Sequence, residues 1–105
     1  MNPHTSIWKH STIDSSNSLE FRLFLSRRCC DYEQLVLDIS NVDKIDSTGM
    51  GNILTAVRRI KPNHHKMVMF VSNKVKSTLD SMYMYREVKY FTAQSDAIQS
   101  LTERD

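Results

Sequence analysis

Hydrophobic positions along the chain change period several times, and each change predicts a new element. Ser6 to Ile13 is rather polar, with Ile7, Trp8 and Ile13 its only large apolar residues, and reads as one short strand. Asp14-Ser15-Ser16-Asn17 is a dense run of capping residues, and Asn17 with Glu20 has the spacing of a capping box. The helix that follows should reach about Cys30. Leu19, Leu23 and Cys30 fall on one face and predict its buried stripe, widened by Phe21, Phe24 and Leu25. Leu35 to Ile39 is a nearly continuous apolar run, as expected of a strand covered on both faces. Met50, Ile53, Leu54, Val57 and Ile60 recur at helical spacing, with Asn52, Arg58 and Arg59 opposite, until Pro62-Asn63 ends the pattern. Met67 to Val71 predicts a second buried strand. Val75, Leu79 and Met82 predict a third helix after Ser72-Asn73, Val88 to Phe91 a short strand, and Ala97, Ile98 and Leu101 a closing helix.

The order βαβαβαβα argues a mainly parallel sheet, because parallel neighbours need crossover connections and helices supply them. The expected fold is therefore α/β. It is a single domain over residues 1–105, with about four mostly parallel strands, three to four helices packed on them, and a reduced N-terminal strand. Residues 1–5 read as a loose leader. Leu35, Leu37, Ile39, Val68 and Phe70 are the expected sheet core.

Composition narrows the partners rather than the fold. The 105 residues are 40% apolar and 25% charged, and 14 basic against 12 acidic residues leave a net charge of +2. So balanced a distribution calls for neither nucleic acid nor an anionic membrane. No apolar run approaches the roughly 18–20 residues that span a bilayer, and Met1-Asn2-Pro3-His4 lacks the character of a secretory signal. Cys29 and Cys30 are adjacent, a poor geometry for a structural disulfide, so a reduced, cytoplasmic setting is expected.

Candidate chemistry concentrates in Asp46-Ser47-Thr48-Gly49-Met50-Gly51, where a sheet strand delivers the chain to the first turn of a helix. Unpaired N–H groups and the positive end of the helix dipole would tolerate a phosphoryl group there. Both glycines of the protein fall in this hexapeptide, which predicts that backbone freedom is needed in the turn. A plainer role is also open: Asp46, Ser47 and Thr48 are all competent helix caps, worth about 1 kcal/mol. Enzyme motifs are missing. Two glycines cannot supply G-x-G-x-x-G, Gly49 and Gly51 stand too close for G-x-x-x-x-G-K-[ST], and Ser47 is not flanked as in G-x-S-x-G. His64 and His65 lie beyond the far end of the second helix, His4 and His10 in the N-terminal stretch. No catalytic triad, metal site or cofactor is expected. Asp38, charged within an apolar strand, reads as a rim residue or a structural acceptor rather than a catalytic acid.

The segment from Leu35 through Asp38-Ile39-Ser40 to Asp46-Ser47-Thr48-Gly49-Met50-Gly51 resembles the signature of STAS domains, the family of bacterial anti-sigma factor antagonists. There a V-L-D-L-S strand leads through a short loop to D-S-[ST]-G-[LM]-G. Ile13-Asp14 matches the L-D that opens the family's first helix, and Ser72-Asn73-Lys74-Val75 the approach to its third, so the resemblance covers about Thr12 to Leu101. It implies a binding switch without catalysis. Ser47 would be the phosphoacceptor, with Thr48 a secondary site, for a partner that is both serine kinase and anti-sigma factor; a cognate phosphatase would reverse the modification. Asp14, Asp46, Ser47, Thr48, Gly49, Met50, Asn52, Thr55 and Arg59 would form the partner surface. The resemblance also implies an alternative, a passive subunit gripping the cytoplasmic ATPase of a lipid-type ABC transporter. The family's L-T-G-L is replaced here by Ser81-Met82-Tyr83-Met84-Tyr85. An open N-terminal strand edge leaves a homodimer as a further option.

Overall fold

The computed structural model describes residues 3–102. Its centre is the pair of apolar runs legible in the sequence, β3 (Gln34–Ile39) and β5 (Lys66–Val71), hydrogen-bonded in parallel along their whole length. β1 (His4–Ile7) adds in parallel to the outer side of β3, and a two-residue β6 (Tyr90–Phe91) adds to β5. The sheet order is β1-β3-β5-β6. A second, two-residue ladder pairs β2 (Thr12–Ile13) with β4 (Lys44–Ile45), also in parallel. The helices are α1 (Ser18–Asp31), α2 (Ser47–Ile60), α3 (Asn73–Ser81) and α4 (Gln94–Thr102).

The two sheet faces differ. Leu35, Leu37, Ile39, Met67, Met69 and Val71 point into the larger core with Phe21 and Leu25 of α1, Ile53 and Val57 of α2, and Val75 and Leu79 of α3. On the other face Val36 and Val68 meet Ala97 and Leu101 of α4 in a smaller cluster, with Phe91 and Ile98 partly buried against it. Phe70, expected in the core, lies on this thinner side and is only partly buried, because one helix covers it.

Several expectations are corrected. Ser6 to Ile13 is not one strand: the chain leaves the sheet edge after Ile7, and the polar Lys9-His10-Ser11 stretch carries it to the β2–β4 ladder. Trp8 turns inward between them, 3% exposed, against Phe21 and Phe24. His4 and Thr5, expected in a loose leader, are paired with Leu35 and Val36; residues 1 and 2 of that leader lie outside the described residues. The Val88 to Phe91 strand shrinks to Tyr90–Phe91. Asn17 occupies the N-cap position of α1 without capping it, since its carboxamide bridges the Asp14 N–H and the Thr12 carbonyl. Glu20 faces His10 instead of completing a box. Met82 lies past the end of α3 and is exposed.

The stripe on α1 holds only on the side of its widening residues, Phe21 and Leu25. Phe21, Leu25 and Cys29 are buried, whereas Leu19 and Leu23 are 58% and 49% exposed and Cys30 faces solvent. The helix carries apolar residues on both faces, and the larger set, with Phe21, wins the core.

Ser72 ties two layers together. Its hydroxyl donates to the Val42 carbonyl (2.7 Å) and accepts from the Val75 N–H (3.2 Å), capping α3. Ser72→Ala removes a cap and strands a buried carbonyl, so we expect a loss of about 1–2 kcal/mol. A thermal melt should register this as a fall of roughly 4–8 °C per kcal/mol for a domain of this size.

Candidate functional site

The site is built by the short β2–β4 ladder. Ile13 and Ile45 are register partners, and the Asp46 N–H donates to the Ile13 carbonyl at 3.1 Å. Asp14 and Asp46 are therefore the next residues of two parallel strands, each leading towards a helix. The two helices pack against each other from this end downward, joined near the top by Asn52 Nδ2 donating to the Ser18 carbonyl at 3.3 Å.

Asp46 settles the capping question. Its backbone is extended, its carbonyl accepts the first helical bond from Met50, and its carboxylate accepts from the Gly49 N–H at 3.0 Å. Ser47 and Thr48 are then the first two helical residues, both exposed. Among the described residues neither hydroxyl has a hydrogen-bond partner, and neither backbone N–H is taken. The chain thus ends its strand with a free hydroxyl in front of two free N–H donors, where the helix dipole favours negative charge.

Gly49 does a different job from the one its type suggests. Neither glycine has a positive φ, so no left-handed turn is involved. A Cβ on Gly49 would lie 2.5 Å from Ile13 Cγ2 and 3.0 Å from Ile45 Cγ1, whereas one on Gly51 would meet nothing within 4 Å. Gly49 lets the first turn of α2 sit directly on the ladder, which brings the Asp14 and Ser47 connections to one rim. Asp14 is held in its own turn by the Ser16 N–H and hydroxyl, and these bonds keep its carboxyl below the usual carboxylate range. It is an anion at neutral pH.

The expected surface divides accordingly. Asp14, Asp46, Ser47 and Thr48 gather at the rim. Gly49 and Met50 are buried beneath it and offer no surface, because they fill the junction of helix and ladder. Asn52, Thr55 and Arg59 do share one side of α2, lining a groove of about 200 Å³ against α1. Thr55 donates to the Gly51 carbonyl, and Arg59 Nη1 reaches Ser26 Oγ at 3.4 Å. Sequence reasoning missed the α1 side of this groove, Arg22, Ser26 and Cys30. The signal was there, in a helix whose apolar residues exceed what one face can bury.

Away from the rim little reactive chemistry is assembled. Burial, with a contribution from neighbouring Cys30, pushes the Cys29 thiol up to about 11, so it is an inert core residue. Of the two readings open for Asp38, the structural acceptor is the one found: it takes the Ser40 N–H and hydroxyl at 2.9 and 2.6 Å. Among the described residues no three His, Cys, Asp or Glu side chains come together as metal ligands, and no helix is long and apolar enough to cross a membrane.

Comparison with known proteins gives a consistent result. The family model described as STAS domain matches residues 9–97. The structure is similar to the crystal structure of TM1081 from Thermotoga maritima, a candidate anti-sigma factor antagonist, with a TM-score of 0.75 and 20% identity over 94% of this chain and 88% of that one. An NMR structure of TM1081 matches with a TM-score of 0.73 and 20% identity, over 95% of this chain and 82% of that one. No curated protein matches the sequence at a significant level.

Proposed function

Because this chain belongs to the STAS domain family, we propose that it is a phosphorylation-controlled binding switch of the anti-sigma factor antagonist type, with Ser47 as the acceptor. The observation that carries this reading is the division of labour at the start of α2. Asp46 caps the helix, which leaves the adjacent Ser47 hydroxyl exposed and uncommitted. A kinase can reach it without unpicking the fold.

The physics of the modified state follows from the same geometry. A phosphoserine adds roughly −1.5 to −2 charges and three strong acceptors. At the first helical position the Ser47 and Thr48 N–H groups and the dipole accommodate that charge, so the domain stays folded. At a docked interface the same charge sits beside the carboxylates of Asp14 and Asp46 and must be desolvated against them. Binding is lost while the structure is kept. The partner would be a serine kinase that is also an anti-sigma factor, and a phosphatase would restore the binding form. The domain itself acts by binding rather than by turnover. The pair of free thiols fits the reduced interior of a cell.

The test is a pull-down from the native cell with wild type, Ser47→Ala and Ser47→Asp, followed by mass spectrometry of the peptide spanning residues 45–58. Ser47→Ala should fold with at most a few tenths of a kcal/mol lost, since Asp46 remains the cap, and should hold its partner constitutively. Ser47→Asp should fold too, yet bind about tenfold or more weakly, as like charges are brought together at the interface. A Ser47 that is never modified, with all three forms retaining one partner equally, would leave a passive subunit of a transporter ATPase in place of the switch.

A further inference from the structure

The face formed by α1 and α2 is not finished by the domain itself. Leu19 and Leu23 stand 58% and 49% exposed on the outer side of α1, a half-open apolar stripe, and Leu23 also lines a shallow hollow with Trp8, Phe24 and Arg27. Beside the stripe runs the α1–α2 groove, whose lining includes Arg22 and Arg59 and no aspartate or glutamate. Neither arginine forms an ion pair with a carboxylate among the described residues, where the salt bridges join His10 to Glu20 and Lys76 to Asp80. The groove opens at its upper end where Asn52 bonds Ser18, in the first turns of the two helices that follow Asp14 and Asp46. The apolar stripe and the cationic groove share α1, and the groove and the Ser47 rim share α2.

From this arrangement we propose that the partner docks through an amphipathic, acidic helix laid along the α1–α2 groove, its apolar side on Leu19 and Leu23 and its carboxylates against Arg22 and Arg59. The proposal rests on the switch reading above and gives the partner segment a chemistry. The occupant is set by charge complementarity and by continuity with the Ser47 rim. An acidic helix neutralises Arg22 and Arg59, while the leucines supply the anchors that a helix-in-groove contact uses. It also explains the direction of the switch. A phosphate on Ser47 stands at the head of the groove and adds negative charge where a negatively charged segment must lie, so it repels the occupant and spares the fold.

The experiment uses the full chain, isotopically labelled, titrated with a synthetic helical peptide carrying leucines at helical spacing and glutamates on one flank. A matched peptide with lysines replacing the glutamates is the control. Backbone NMR shifts should be confined to residues 18–30 and 52–59. The acidic peptide should bind more tightly than its lysine counterpart, and more weakly as salt is raised. Arg22→Glu with Arg59→Glu should weaken it about tenfold, and Leu23→Glu similarly. All three side chains are at the surface, and a circular dichroism melt of each variant checks that the fold is kept. Ser47→Asp should lower the affinity for the acidic peptide and not for the lysine one. Equal binding of both peptides would overturn the proposal, as would stronger shifts of the same residues by anionic vesicles or duplex DNA. Its failure is separable from that of the switch: a partner released by Ser47→Asp yet retained by the Leu23 and arginine variants would keep the switch and discard this groove.

Discussion

Leu37→Asp should not fold. Leu37 is fully buried in the middle of β3, facing the core that α1, α2 and α3 share. Truncating such a leucine costs roughly 2–5 kcal/mol, and a carboxylate without a partner adds several more. A domain of this kind has about 5–15 kcal/mol in total, so the sum exhausts it. Circular dichroism and thermal melting should show no cooperative transition. A melt close to that of the wild type would mean that β3 is not the central strand, and the parallel topology would go with it.

Gly49→Ala comes next in size, and its sign is informative. In an ordinary helix, replacing glycine by alanine gains up to about 1 kcal/mol. Here the new methyl would meet Ile13 Cγ2 at 2.5 Å and the Ile13 carbonyl oxygen at 3.2 Å. Neither atom has room to move, since the Ile13 side chain is fully buried and its carbonyl accepts from the Asp46 N–H in the ladder. We expect a net loss of about 1–3 kcal/mol, the usual cost of overpacking. Gly51→Ala, two residues on in open space, should be neutral or stabilising by up to about 1 kcal/mol. A pair of chemical denaturation curves decides the matter. If both variants gain stability, the close seating of α2 on the ladder is wrong. If Gly49→Ala folds but binds its partner poorly, the rim depends on that seating as well.

The contrast between these glycines shows what the sequence could and could not reveal. Leu35 to Ile39 and Met67 to Val71 were legible because strands covered on both faces read as unbroken apolar runs. The second helix was legible because Met50, Ile53, Val57 and Ile60 are buried at the spacing that defines a single face. The first helix misled for the opposite reason. Leu19, Leu23 and Cys30 obey helical spacing as well as Phe21, Leu25 and Cys29 do, and only tertiary packing decides which set goes inward. The N-terminal stretch misled because nothing in the pattern separates a four-residue strand from a two-residue one across Lys9-His10-Ser11. At the rim, the run of Asp46, Ser47 and Thr48 was visible but its roles were not. Three residues could cap, and the hydrogen bond to Gly49 picks the first. Gly49 itself was noticed for its torsional freedom, whereas its use is to have no side chain where Ile13 arrives from distant sequence.

That Asp46 holds the helix while Ser47 beside it is left free has an evolutionary consequence. The residue that keeps the domain intact and the residue that would carry its regulation can be selected independently. On the proposed switch, a lineage that exchanges Ser47 for alanine would give up control and retain the same shape and the same binding face. A lineage that gains a hydroxyl there would acquire control without rebuilding the scaffold. Conversion between a regulated antagonist and an unregulated structural subunit would then be one substitution away in either direction, and Asp46, not Ser47, is the position that both kinds of descendant would have to keep.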